Sequence, residues 1–98
     1  MRTMLRISIP VDAGNKALKD DVIPKLIQQT TELLKPEGAY FTCDHGVRTT
    51  YFFFDMKEAT QMPAIAEPWF MATNAKVELL PVMNAEELRT GLEKLKKK

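Results

Sequence analysis

The amino-acid sequence predicts a single α+β domain, residues 1–98, in which strands and helices follow the order β-α-β-β-α-β, closed by one further helix. Three observations carry this reading. Short β-branched stretches with period-two alternation are separated by longer stretches with helical spacing. The turn residues Asp44-His45-Gly46 join two strand-like stretches directly, as a hairpin. And 98 residues are one domain's worth of chain, enough for one core but leaving it marginal, so that oligomerisation would help.

Leu5, Ile7 and Ile9 alternate with Arg6 and Ser8, the pattern of a strand with one apolar face. Pro10 ends it, and Asp12-Ala13-Gly14-Asn15 reads as the turn that follows. A long helical pattern then runs to about Lys35. Leu18, Val22, Leu26, Thr30 and Leu33 form one stripe, with Ile23, Ile27 and Leu34 beside it. Pro24 lies inside this pattern, so the helix either kinks there or restarts near Asp21; a kinked continuous helix is the favoured expectation.

Residues 39–43 form a second strand and Val47–Asp55 a third. A two-residue loop at His45-Gly46 would pair Tyr40 with Tyr51 and Thr42 with Thr49 on one face, leaving Phe41, Cys43, Phe52 and Phe54 on the other. Met62, Ile65, Ala66, Trp69 and Phe70 follow helical spacing, with Thr60 as N-cap, Pro63 in the first turn, Pro68 as a bend and Asn74 as the end. Residues 75–82 form the fourth strand. Asn84 followed by Glu87 resembles a capping box for a last helix with Leu88, Leu92 and Leu95 as its stripe.

Two β-α-β units with right-handed crossovers, sharing the central hairpin, give a ferredoxin-like, four-stranded antiparallel sheet of order 4-1-3-2 plus the C-terminal helix. Both long helices cover one face and leave the other open. The third strand bears on that open face, because Tyr51, Phe52, Phe53 and Phe54 are consecutive and make both of its faces aromatic. A sheet facing water on one side would alternate apolar and polar residues. Burying a Phe-sized side chain is worth about 1.5–3 kcal/mol, so the open face calls for a cover. A second copy packed sheet to sheet is the simplest one, at on the order of 800 Å² per partner. The C-terminal helix is the rival cover.

The element order, the run Tyr51-Phe52-Phe53-Phe54-Asp55, the segment Ala66-Glu67-Pro68-Trp69-Phe70 and the stretch Val77-Glu78-Leu79-Leu80-Pro81-Val82 resemble small proteins of the dimeric α/β barrel superfamily, in particular a branch of unknown function. Relatives in that superfamily include cofactor-free monooxygenases, muconolactone-type isomerases and stress-responsive barrels. The resemblance implies a homodimer whose sheets face each other. It transfers no catalytic residue, since no catalytic motif of these relatives occurs here.

Composition excludes several function classes. A net charge of +1 offers no basic stripe for nucleic acid. The local exception, Lys94, Lys96, Lys97 and Lys98, reads as a solvated helix end. RNA recognition by this element order needs an aromatic on the first strand and glycines in the third, and neither is present. No stretch approaches the roughly 20 apolar residues of a membrane span, and the first ten residues do not read as a signal peptide because Arg6 interrupts them. With Cys43 as the one cysteine, a cytoplasmic, reducing setting is the expectation.

Candidate site residues follow from strand parity. Arg6 and Glu78 should both emerge on the open face, amid Tyr40, Tyr51 and Phe53. Two readings result: a pocket in which Arg6 holds an anion and tyrosine hydroxyls orient it, or an interfacial salt bridge that fixes dimer register. Trp69 reads as core, or as the wall of a gap with Met62 and Met71 that admits an apolar or aromatic ligand. His45 reads as an exposed turn residue and Cys43 as a small buried hydrophobe. No metal or cofactor is expected. Function divides between small-molecule binding and a non-catalytic homodimeric assembly or regulatory module.

Overall fold

In the computed structural model, which describes residues 1–96, the chain forms β1 (Arg2–Ile9), α1 (Val11–Lys19), α2 (Val22–Leu34), β2 (Gly38–Asp44), β3 (Val47–Asp55), α3 (Met62–Thr73), β4 (Lys76–Pro81) and α4 (Ala85–Leu95). Lys97 and Lys98 of the expected basic helix end lie outside the described residues. The four strands make one antiparallel sheet that reads β2-β3-β1-β4 from its hairpin edge. The result is a small α+β fold compatible with a ferredoxin-like arrangement.

The expected fold class, a βαββαβ chain of order 4-1-3-2 plus one helix, is corrected: the chain runs βααββαβα. The first crossover holds two helices because the backbone breaks ahead of Pro24. Asp21 adopts a left-handed conformation with φ 60°, and helix α2 starts afresh at Val22. Aspartate tolerates this region better than most residues. The restart puts Pro24 in the first turn of α2, where a missing N–H costs nothing, instead of in a helix interior, where it would cost roughly 3 kcal/mol.

A second correction concerns Asp12-Ala13-Gly14-Asn15, which lies within α1 and is not a turn. Gly14 is buried, and its N–H donates to the Pro10 carbonyl at 2.8 Å. A Cβ there would sit 2.6 Å from Arg48 Nη1 and 3.1 Å from Ile9 Cγ2. The glycine therefore lets α1 lie close to the sheet.

The two-residue hairpin loop pairs Asp44 with Val47, Thr42 with Thr49 and Tyr40 with Tyr51. His45 and Gly46 have φ of 54° and 79°, the doubly positive pattern of a hairpin turn that matches strand twist. Helix α3 has Gln61, and not Thr60, at its N-cap position, and it follows a 3-10 turn (Ala59–Gln61) capped by Glu58, in which the Gln61 side-chain oxygen accepts from the Lys57 and Glu58 N–H groups at 2.8 and 3.1 Å. The helix passes through Pro68 and ends at Asn74, φ 55°.

The core lies between the sheet and helices α1 to α3. Thr3, Leu5, Ile7 and Ile9 of β1 point into it, with Phe52 and Phe54 of β3. Leu26, Ile65 and Trp69 close it from the helices. Trp69 is 0% exposed, and its indole N–H donates to Thr30 Oγ1 at 2.9 Å, tying α3 to α2. Cys43, expected buried, is exposed. It points to the helix side of the sheet, but β2 is the edge strand and the helices do not reach over its far end.

Replacing Thr30 by Val keeps the shape and removes the acceptor, stranding the indole N–H in an apolar core. Thr30→Val should lower stability by roughly 1–3 kcal/mol, read as a lower urea midpoint with unchanged slope. An unchanged midpoint would contradict this role for Thr30.

Candidate functional site

Period-two alternation sends the even-numbered residues of β1 away from the helices. Arg6 lies directly across from Tyr51 on β3 and from Glu78 on β4. Asp44, at the end of β2, comes to the same face because it shares parity with Tyr40 and Thr42. These residues converge. Arg6 Nη2 donates to Asp44 Oδ2, its Nε lies 3.7 Å from Glu78 Oε1, and its guanidinium carbon stands 5.7 Å from the centre of the Tyr51 ring. The Tyr51 hydroxyl donates to Asp44 Oδ2 at 3.2 Å, and His45 Nδ1 lies 2.8 Å from Asp44 Oδ1. Arg6, Asp44, His45 and Glu78, with Ser8 and Lys76, border a groove of about 350 Å³.

Partial burial pushes the Asp44 carboxyl upward, but the Tyr51 hydrogen bond, the Arg6 charge and His45 together outweigh it and hold the group below its ordinary value. Asp44 is thus a carboxylate near neutrality. Arg6 is matched by two carboxylates, so the cluster has little attraction left for an anion. Arg6 Nε is buried and makes no hydrogen bond among the described residues.

Beside the charged cluster runs an apolar row. Tyr40 is 63% exposed and sets its ring edge-on to Phe53, centroids 6.3 Å apart. Phe53 pairs with Met4, and Met4 with Leu80, which is 48% exposed. Helix α4 does not cover this row: residues 83–96 are all exposed.

Of the candidate residues, Arg6, Tyr51 and Glu78 meet, and Tyr40 shares their face one strand away. Trp69 is on the opposite side of the sheet and does not join them. Nor does it line a gap with Met62 and Met71. Met62 borders an apolar groove of about 360 Å³ between α3 and β4, with Pro63, Ala66, Phe70, Val77 and Leu79. Met71 faces a different one, between α1 and α3. Sequence reasoning missed Asp44 as a partner of Arg6. The signal was present, since a two-residue loop puts residues 40, 42 and 44 on one face.

Among the described residues no helix is long and apolar enough to cross a membrane. No family model, no curated protein and no solved structure matches the chain.

The lowered carboxyls give a pH dependence of fixed sign. Asp55, held by hydrogen bonds from Lys57 and the N-terminal amine, is lowered to about 2. A carboxyl depressed on folding adds stability above its unfolded pKa of about 3.9, which is lost as pH falls through the folded value. Melting temperature should therefore fall from about pH 4 toward pH 2, and Asp44→Asn and Asp55→Asn should each flatten the profile. Thermal melts between pH 2 and 6 check this; variant profiles parallel to wild type would contradict it.

Proposed function

We propose that the chain acts as a homodimeric assembly of the dimeric α/β barrel type, in which the open sheet faces of two copies pack on each other. The observation that supports this most is the row Tyr40, Phe53, Met4 and Leu80, which α4 does not cover: Tyr40 and Leu80 are exposed and Phe53 and Met4 half-buried. Patches of this kind on small domains mark interaction surfaces. Tyr40 and Leu80, 63% and 48% exposed, each stand to gain roughly half of the about 1.5–3 kcal/mol of a fully exposed side chain, which must offset the cost of association.

In this reading the Arg6 cluster sets the register of the two sheets and does not hold a ligand. Arg6 already faces two carboxylates before any partner arrives, which does not suit capture of an anion. Broken pairs in such a setting are costly, and that penalises slipped arrangements.

Phe53→Lys and Tyr40→Lys should each raise the dimer dissociation constant by roughly 30-fold or more, the effect of a hot spot worth ~2 kcal/mol. Sedimentation equilibrium over a concentration series measures it. Dissociation constants unchanged in both variants would remove the open face from the interface.

A second reading rests on the apolar groove between α3 and β4, whose volume of about 360 Å³ falls within the range of small-molecule pockets. It would take a small uncharged aromatic. Indole should raise the melting temperature of the wild type and not of Val77→Phe, which fills the groove. Equal shifts for both proteins, or none, would dismiss it.

A further inference from the structure

Helix α4 is eleven residues long and none of them is buried. Isolated helices shorter than ~12–15 residues are marginal in water. This one has a complete capping box, Asn84 Oδ1 accepting from the Glu87 N–H at 2.8 Å and Glu87 Oε1 from the Asn84 N–H at 2.9 Å, but a cap contributes only about 1 kcal/mol. Leu88, Leu92 and Leu95 stand 48%, 52% and 63% exposed along one stripe. The chain extends 55 Å along its long axis, with a radius of gyration of 15.7 Å. A compact chain of this length has about 13 Å. The helix projects as an arm.

Two features tie this arm to the open face. Its root is anchored there: Arg2 lies on the open side of β1, and its guanidinium bonds Glu87 of α4 and, at 3.1 Å, Glu37 Oε1. And along the chain exposed apolar residues lead from the open face to the arm: Leu80 on β4, then Met83, 64% exposed, then Leu88 on α4. The sheet face by itself is small. Four strands sharing about six residues give a flat footprint of roughly 20 by 19 Å, against ~800 Å² per partner in a stable interface. A helix about 16 Å long and 10 Å wide adds substantially to it.

We infer that α4 is an exchanged arm, whose leucine stripe packs on the second copy of the chain in the sheet-to-sheet dimer. This rests on the dimer proposed above and names a further part of its interface. The arm draws its order from the partner, so the helix and the dimer form together.

The wild-type chain, Leu88→Ser/Leu92→Ser and Phe53→Lys test it by sedimentation and by hydrogen exchange of the α4 amides. The double serine variant should raise the dimer dissociation constant by roughly tenfold or more. The α4 amides should be protected in the wild-type dimer and exchange freely in monomeric Phe53→Lys. A wild-type dimer that tolerates both serines and leaves those amides unprotected would overturn the arm while the sheet pairing stands. Equal protection in monomeric Phe53→Lys would also overturn it, placing the helix on its own chain. A wild type that stays monomeric would overturn the sheet pairing and the arm together.

Discussion

Strand β3 is apolar on both faces, and it occupies an inner position in the sheet. Phe52 and Phe54 point toward the helices and are almost wholly buried, packed with Leu5, Ile7 and Trp69. Tyr51 and Phe53 point the other way, beside Met4 and Tyr40. One set of aromatics is satisfied by the chain's own helices. The other has only the edges of its neighbours. A sheet whose central strand carries this pattern has one natural completion, another apolar layer about 10 Å away.

In the proposed dimer the charged cluster would give that open face direction. Apolar rows alone pack in several registers, because dispersion and area burial are not directional. A compact group of Arg6, Asp44 and Glu78 beside them is different. Its internal pairing lowers the cost of desolvation, and a misplaced partner surface would expose or strand its charges. Binding strength would then come from the aromatic row and orientation from the cluster. Helix α4 belongs to the same logic, since a half-exposed leucine stripe on an arm rooted at the uncovered sheet face would add to the apolar area a partner covers.

Much of this was legible in the sequence because parity is rigid in strands. Alternation with Leu5 and Ile7, and with Val77 and Leu79, gives the faces of Arg6 and Glu78, and a two-residue loop at His45-Gly46, which the structure has, gives the shared face of Tyr40, Tyr51 and Asp44. The helical crossover was harder to read. Pro24 points to a kink or to a restart near Asp21, but the apolar spacing runs almost unbroken from Leu18 to Leu34, so periodicity favours the kink over a break that depends on one backbone angle at Asp21. Gly14 misled for a related reason: glycine marks both turns and close approaches, and only the packing of α1 on Ile9 and Arg48 distinguishes them. Cys43 was assigned the right face but the wrong environment, because strand parity says nothing about how far a helix layer reaches over an edge strand. Trp69 reads as core by default, with a pocket wall as the alternative, and its full burial and the bond to Thr30 place it in the core.

The mass of the wild-type chain in dilute solution bears on the central claim most directly. Light scattering across a concentration series near physiological pH should give twice the 11.2 kDa of one chain at micromolar concentration, falling toward the single-chain mass on dilution. A constant 11.2 kDa at every concentration, with Tyr40 and Tyr51 reacting as solvent-exposed phenols, would contradict a covered sheet face.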